Sequence, residues 1–321
     1  MNLLKKIKFN YYLGLIKDHI KNNQHNSAFE EINKISKEEK LIFVEIVRSL
    51  NDQLNDQSSI DIYQQKNVWT ISYDLNDLEY LNKFLNFYLS KNYRSNFLIE
   101  NFSDLLSELM ESFDQINWSS DVKFNHMVQN SGFYQNLLLF NSPNSLNVLS
   151  TCSAFFESQN KFYFIYPNPT VCFFYIVQNP KDIFIRYKQK YQSSEASHEE
   201  LLNNAKQLFL SDSQKNKKHK IYENRVNYQT NLKSWTDPNV VNTYKGLIIE
   251  HDKLIEKTED TLLDVIYHLK QHYPPINVTH NDVKIYIKEN GSPKKINGNL
   301  SNNELKFMKR NLLDEINLFS F

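Results

Sequence analysis

Apolar and polar positions change period along the chain, and each change marks an element. Residues 1 to about 56 follow a helical pattern, with Leu13, Leu15, Ile16 and Ile20 on one face. Ser36-Lys-Glu-Glu39 has the spacing of a capping box and precedes Leu41, Ile42, Val44, Ile46 and Val47, so a helix start is expected at Ser36. The polar stretch Asn51–Ser59 reads as a linker. The character changes at Lys66. Val68–Tyr73 is a short β-rich run, Asp74–Glu79 is polar, and Leu78, Leu81, Leu85, Tyr88 and Leu89 then fall on one helical face. That is strand, loop, helix. Asn101–Asp104 caps a helix expected to reach about Ile116, and 120–140 reads as helical with a break near Gly132.

Further strands are expected at Leu146–Thr151, Val171–Val177 and Gly246–Glu250. The second is apolar on both faces, as in a buried parallel strand. Asn179-Pro180 ends it, and Pro180 suits the first turn of a helix at Lys181–Lys190. Helices are expected at Thr258–Gln271, Thr279–Glu289 and Ser301–Asn317, with capping boxes at Ser197/Glu200 and at Ser301/Glu304. The alternation predicts an α/β fold with a mostly parallel sheet covered on both faces, in three layers. The division expected is a helical extension at 1–60 and an α/β domain at 61–321. The extension reads as a small appendage on the main domain or as a surface for a protein partner.

Composition narrows the function. Only five glycines occur in 321 residues, none between Gly14 and Gly132. Glycine supplies the positive φ and close backbone approach of phosphate-cradling loops, so the standard Walker A, GxGxxG and kinase glycine loops are absent. Lysine plus arginine and aspartate plus glutamate number 37 each, which leaves no global charge for nucleic acid or an acidic membrane. The two cysteines, Cys152 and Cys172, make neither a disulfide framework nor a zinc set, and a reducing, cytoplasmic compartment is expected. The longest apolar run, Val171–Val177, is too short to span a bilayer, so no membrane insertion is expected.

Three segments together resemble PAPS-dependent sulfotransferases. Phe174–Tyr187 (FYIVQNPKDIFIRY) is similar to that family's 3′-phosphate-binding strand and helix, above all at Asn179-Pro-Lys-Asp182. Asn67–Tyr73 resembles the family's first strand, which leads into its Y-P-K-S-G-T-T-W loop. Lys233-Ser-Trp235 and Gly246–Leu254 resemble its serine-tryptophan element and the strand end after it. The resemblance covers about 67 to 321. It implies a P-loop-NTPase-like fold, PAPS or PAP as cofactor without a metal, and sulfuryl transfer to an acceptor hydroxyl or amine on a small molecule, glycan or protein.

The same resemblance shows where this chain departs. Aligned on Tyr73, the 5′-phosphosulfate loop becomes Asp74, Leu75, Asn76, Asp77, Leu78, Glu79 and Tyr80, without lysine or glycine and with three acids. Those acids suit a helix N-terminus and repel an anionic nucleotide. Gln178 replaces the arginine of the 3′-phosphate site, and Arg186 takes the place of its serine, where it would supply positive charge. Cys152, in Ser150-Thr-Cys152, falls at the catalytic histidine's position and is not an equivalent base; read on its own, it is a buried structural cysteine. The family's arginine-lysine-glycine element has only Lys294, Lys295 and Gly298 as nearby material. Two functions follow as expectations: a divergent sulfotransferase, or a non-catalytic relative that works by binding. Of the remaining features, Lys215–Lys220 reads as a solvated basic loop or as part of an acceptor or anion patch, Trp69 and Trp235 as core, and His268/His272 as a pair on one helix face without a third metal ligand.

Overall fold

A computed structural model of the chain describes residues 3–22, 24–39, 42–43, 45–46, 66–92, 96–99, 131, 135, 146–152, 154–155, 165–191, 209 and 228–318. The expected linker, the helices at 101–116 and 120–140 (Ser131 and Gln135 apart), the Ser197 capping box and the Lys215–Lys220 run lie outside them.

The described elements follow in the order α1 (Leu3–Lys21), α2 (His25–Glu38), β1 (Asn67–Ser72), α3 (Leu78–Asn92), β2 (Asn96–Ile99), β3 (Leu146–Thr151), β4 (Thr170–Val177), α4 (Pro180–Tyr191), α5 (Tyr228–Thr236), α6 (Pro238–Thr243), β5 (Gly246–Glu250), α7 (His251–Glu256), α8 (Thr258–His272), α9 (His280–Asn290) and α10 (Asn302–Leu318). The strands form one five-stranded sheet in the order β2-β3-β1-β4-β5. β2 and β3 pair in parallel, Asn96 opposite Leu146 through Ile99 opposite Leu149. The amide of Asn147 donates to Lys66 O, and the amides of Lys66 and Asn67 donate to Pro169 O. Starts bonded to starts make these neighbours of β1 parallel too. The chain is therefore α/β, and β1, β3 and β4 are buried along their whole length.

The described residues fall into two compact units. The first comprises Met1–Trp69, Leu85–Ser150 and Phe155–Phe173. In it α1 packs on α2, which buries Ala28, Ile32 and Ile35 at helical spacing. Lys8 pairs with Glu39. Helix α2 runs through Ser36 and ends at Glu39, its C-cap, so the helix start expected at Ser36 is corrected. A polar chain crosses this unit's core: Asn147 Nδ2 donates to Asn67 Oδ1 at 2.9 Å, and Gln135 Oε1 accepts from the Tyr166 amide at 2.9 Å. Such pairing is what permits buried amides beside Val68, Trp69 and Leu149.

The second unit comprises Thr70–Phe84, Thr151–Ala154 and Phe174–Phe321. Leu262, Val265, Ile266 and Leu269 form the buried face of α8. Asn231 of α5 accepts from the Tyr175 hydroxyl at 2.8 Å and donates to Cys152 O at 2.9 Å, which ties the ends of β3 and β4 to α5. The capping box before α10 is present: Glu304 accepts from the Ser301 amide at 2.6 Å, and Ser301 Oγ accepts from the Glu304 amide at 3.3 Å. Among the described residues no helix is long and apolar enough to cross a membrane.

Strand order marks a switch point in the sheet. The chain leaves β1 toward β2 on one side and leaves β4 toward β5 on the other, while β1 and β4 are neighbours. Ligand crevices in open parallel sheets form outside the carboxyl ends of strands at such a switch point.

Candidate functional site

Ser72 closes β1, and its hydroxyl donates to Asp77 Oδ2 at 3.4 Å. Between them the chain turns sharply. Asp74 Oδ1 accepts from the amide of Asn76 at 3.1 Å, as in an Asx turn. A 3₁₀ turn over Leu75–Asp77 then feeds α3, which begins at Leu78. This turn delivers the Asp77 side chain inward, with none of it exposed. Leu78 is buried in the core, Asn76 and Glu79 are exposed, and Glu79 is paired with Lys83 at 2.6 Å. Tyr73 packs edge-on against Tyr228 at 5.6 Å.

The opposing wall comes from β4 and α4. Asn179 caps α4: its side chain accepts from the Lys181 amide at 2.9 Å, and Pro180 begins the helix. Gln178 Nε2 donates to Asp77 Oδ1 at 3.2 Å. Arg186, from the second turn of α4, forms an ion pair with Asp77 and stands 3.5 Å from Asp74 Oδ2. The arginine expected to face an anion is thus held by the acids expected to repel one. At the end of β5, His251 is buried with Nε2 3.9 Å from Asp77 Oδ1, beyond hydrogen-bond reach.

Burial dominates the electrostatics. It pushes the Asp77 carboxyl up to about 7, against the pull of Arg186. Burial, with Arg186 adding to it, lowers His251 to about 4. The centre is thus a guanidinium beside a carboxyl that ionises reluctantly and a neutral imidazole. Gln178 Oε1, Arg186 Nη1 and His251 Nδ1 are buried without a hydrogen-bond partner among the described residues. Of these, Arg186 Nη1 keeps its 3.5 Å contact with Asp74 Oδ2, so Gln178 Oε1 and His251 Nδ1 are the polar atoms left to a guest, since buried polar groups are ordinarily paired.

A cavity of about 280 Å³ opens beside this cluster, lined by Asn76, Tyr80, Arg186, His251, Tyr286 and Lys294 among others. Its outer wall is α9 and the segment after it. The Tyr80 hydroxyl donates to Gly291 O at 2.7 Å, and the Tyr286 hydroxyl donates to Tyr80 O at 3.1 Å. Burial raises the Tyr80 hydroxyl to about 12. Gly291 has φ +72° and ψ −169°, a region that only glycine enters readily. Beyond it, Gln189 Nε2 donates to Asn297 O at 2.7 Å. This brings Lys294 to the cavity and lays Gly298 against Ile185.

No family model and no curated protein matches this chain. The site is therefore interpreted from its own geometry. Asp74, Asp77, Gln178 and Arg186 lie together, and Tyr80 lines the cavity beside them. Cys152 is buried just past the end of β3, its carbonyl held by Asn231. Ser72, His251, Asp182, Asp252 and Tyr286 were not anticipated as site residues. Strand order would have found Ser72, which closes β1 beside the switch point between β1 and β4.

Proposed function

We propose that the chain has a sulfotransferase-like, P-loop-NTPase-like fold and works by binding instead of sulfuryl transfer. The observation that carries this reading is the ion pair between Asp77 and Arg186. Sulfuryl transfer needs positive charge facing the leaving phosphate, and losing one such donor costs about a hundred- to a thousand-fold in rate. Here the loop after β1 contributes a carboxylate, and the nearest guanidinium is turned onto it. Gln178 supplies no charge at the opposing position. Lys83 and Lys294 also line the cavity, and Lys83 is paired with Glu79. The parallel sheet and the placement of the site at its switch point support the fold reading. Exposed Leu4, Ile7 and Tyr11 on α1 support a protein partner at the N-terminal helices.

The test is titration of the full chain with PAP by isothermal calorimetry. No saturable binding up to 1 mM is expected from folded protein. Submillimolar binding of PAP would overturn the reading and restore the enzyme.

A further inference from the structure

We infer that the first turns of α4 and α7 form a site for a divalent transition-metal ion, with Asp182, His251 and Asp252 as protein ligands. One donor atom from each residue lies within 4.8 Å of the others. Around an ion with bonds of about 2.1 Å, ligand atoms stand roughly 3–4 Å apart, so side-chain rotation alone closes the remaining gap. Two carboxylates and an imidazole suit Mn²⁺ or Zn²⁺, with water completing the shell.

Acids in the first turn of a helix have an ordinary explanation in the helix dipole. That explains Asp182 and Asp252 separately, but not their convergence on one imidazole. The independent observation is the imidazole itself. The His251 side chain is 95% buried, its Nε2 lies 3.9 Å from Asp77 Oδ1, and its Nδ1 has no hydrogen-bond partner among the described residues. A buried ring nitrogen without a partner is costly and is the form in which imidazole binds a metal. Asp252 and Asp182 present carboxylates to the same space, and a cation between two carboxylates relieves their repulsion.

The cations now near Asp182 are Lys295, Arg186 and Lys181. Arg186 is engaged by Asp77, and Lys295 is exposed. An incoming ion therefore competes with the exposed Lys295 and the half-buried Lys181. This site does not depend on whether the chain binds nucleotide, and its test is separate.

The test titrates metal-stripped full chain with ZnCl₂ and with MnCl₂ by calorimetry. One site per chain is expected for at least one of the two metals, weakened at least tenfold in Asp182→Asn and in Asp252→Asn and unchanged in His272→Ala. The last variant breaks the His268/His272 pair on α8, which lies outside the proposed site. If a carboxamide variant fails to fold, Mn²⁺ added to the wild-type chain decides by NMR: the amide signals of His251 and Asp252 should broaden first. Absence of binding of either metal at 1 mM would overturn the inference. So would binding that survives both carboxamide variants or is lost in His272→Ala, or broadening that begins elsewhere.

Discussion

The Asp77–Arg186 pair can be weighed by a double-mutant cycle built from Asp77→Asn and Arg186→Met. Unit charges about 4 Å apart attract by roughly 4 kcal/mol at an effective dielectric constant of 20. Removing one partner of a buried pair typically costs about 3–5 kcal/mol. Two features reduce this here. The Arg186 side chain is 24% exposed, and Asp74 remains 3.5 Å from it after Asp77 is neutralised. Asp77→Asn also removes a carboxyl that burial raises to about 7, so the desolvation relieved offsets most of the attraction lost and the change should cost under about 1 kcal/mol. Arg186→Met leaves that carboxyl buried without its cation and should cost more, about 2 kcal/mol. The coupling should be about 1.5 kcal/mol, with the double variant less destabilised than the two single changes added together. Urea denaturation at pH 7.5 with unchanged m-values measures it. A coupling below about 0.5 kcal/mol would refute the reasoning: Arg186 would then be available to an anionic ligand, and the argument for binding without sulfuryl transfer would lose its main support.

Two further predictions concern the packing of the second unit. A Cβ added at Gly298 would stand 2.4 Å from Ile185 Cγ2, so Gly298→Ala should cost about 1–3 kcal/mol by overpacking, read as a lower urea midpoint. Burial alone would push the Glu304 carboxyl up, but hydrogen bonds from Ser301 and Lys188, with the Lys188 charge, hold it below its ordinary value of 4.5. A depressed carboxylate stabilises the fold above its unfolded pKa, and that contribution fades as pH falls through the folded one. Denaturation curves of wild type and Glu304→Gln should therefore converge below pH 4.5; a constant difference from pH 7 to pH 3 would contradict this.

Much of the α/β framework was legible because its strands are short apolar runs between clear stops. β3 and β5 have the bounds expected, and β4 gains only Thr170 at its start. β2 went unseen because Asn96–Ile99 is too short to show a period. The misplaced helix start at Ser36 has another cause: Ser-x-x-Glu within an amphipathic helix is indistinguishable in sequence from a capping box. At the site, Asp74, Asp77, Gln178 and Arg186 are named in the sequence only through the family resemblance, and the structure places them together. Their pairing was not legible, because it depends on a distance between segments remote in sequence. Arg186 was expected to look outward to an anion and instead meets Asp77. His251 was passed over because its significance comes from burial and an unpartnered nitrogen, neither of which is written in local spacing.

The hydrogen bond from Tyr80 to Gly291 joins residues 211 apart in the chain, and this bears on synthesis. At about 5–20 residues per second, roughly 10–40 s pass between translation of these two residues. Throughout that interval the turn after β1 lacks its outer wall, and Arg186 reaches it only midway. Until then Asp77 remains hydrated and charged. The pocket is thus completed late, and a nascent chain stalled before Gly291 would present an open acidic turn to the cell in place of the neutralised centre of the finished protein.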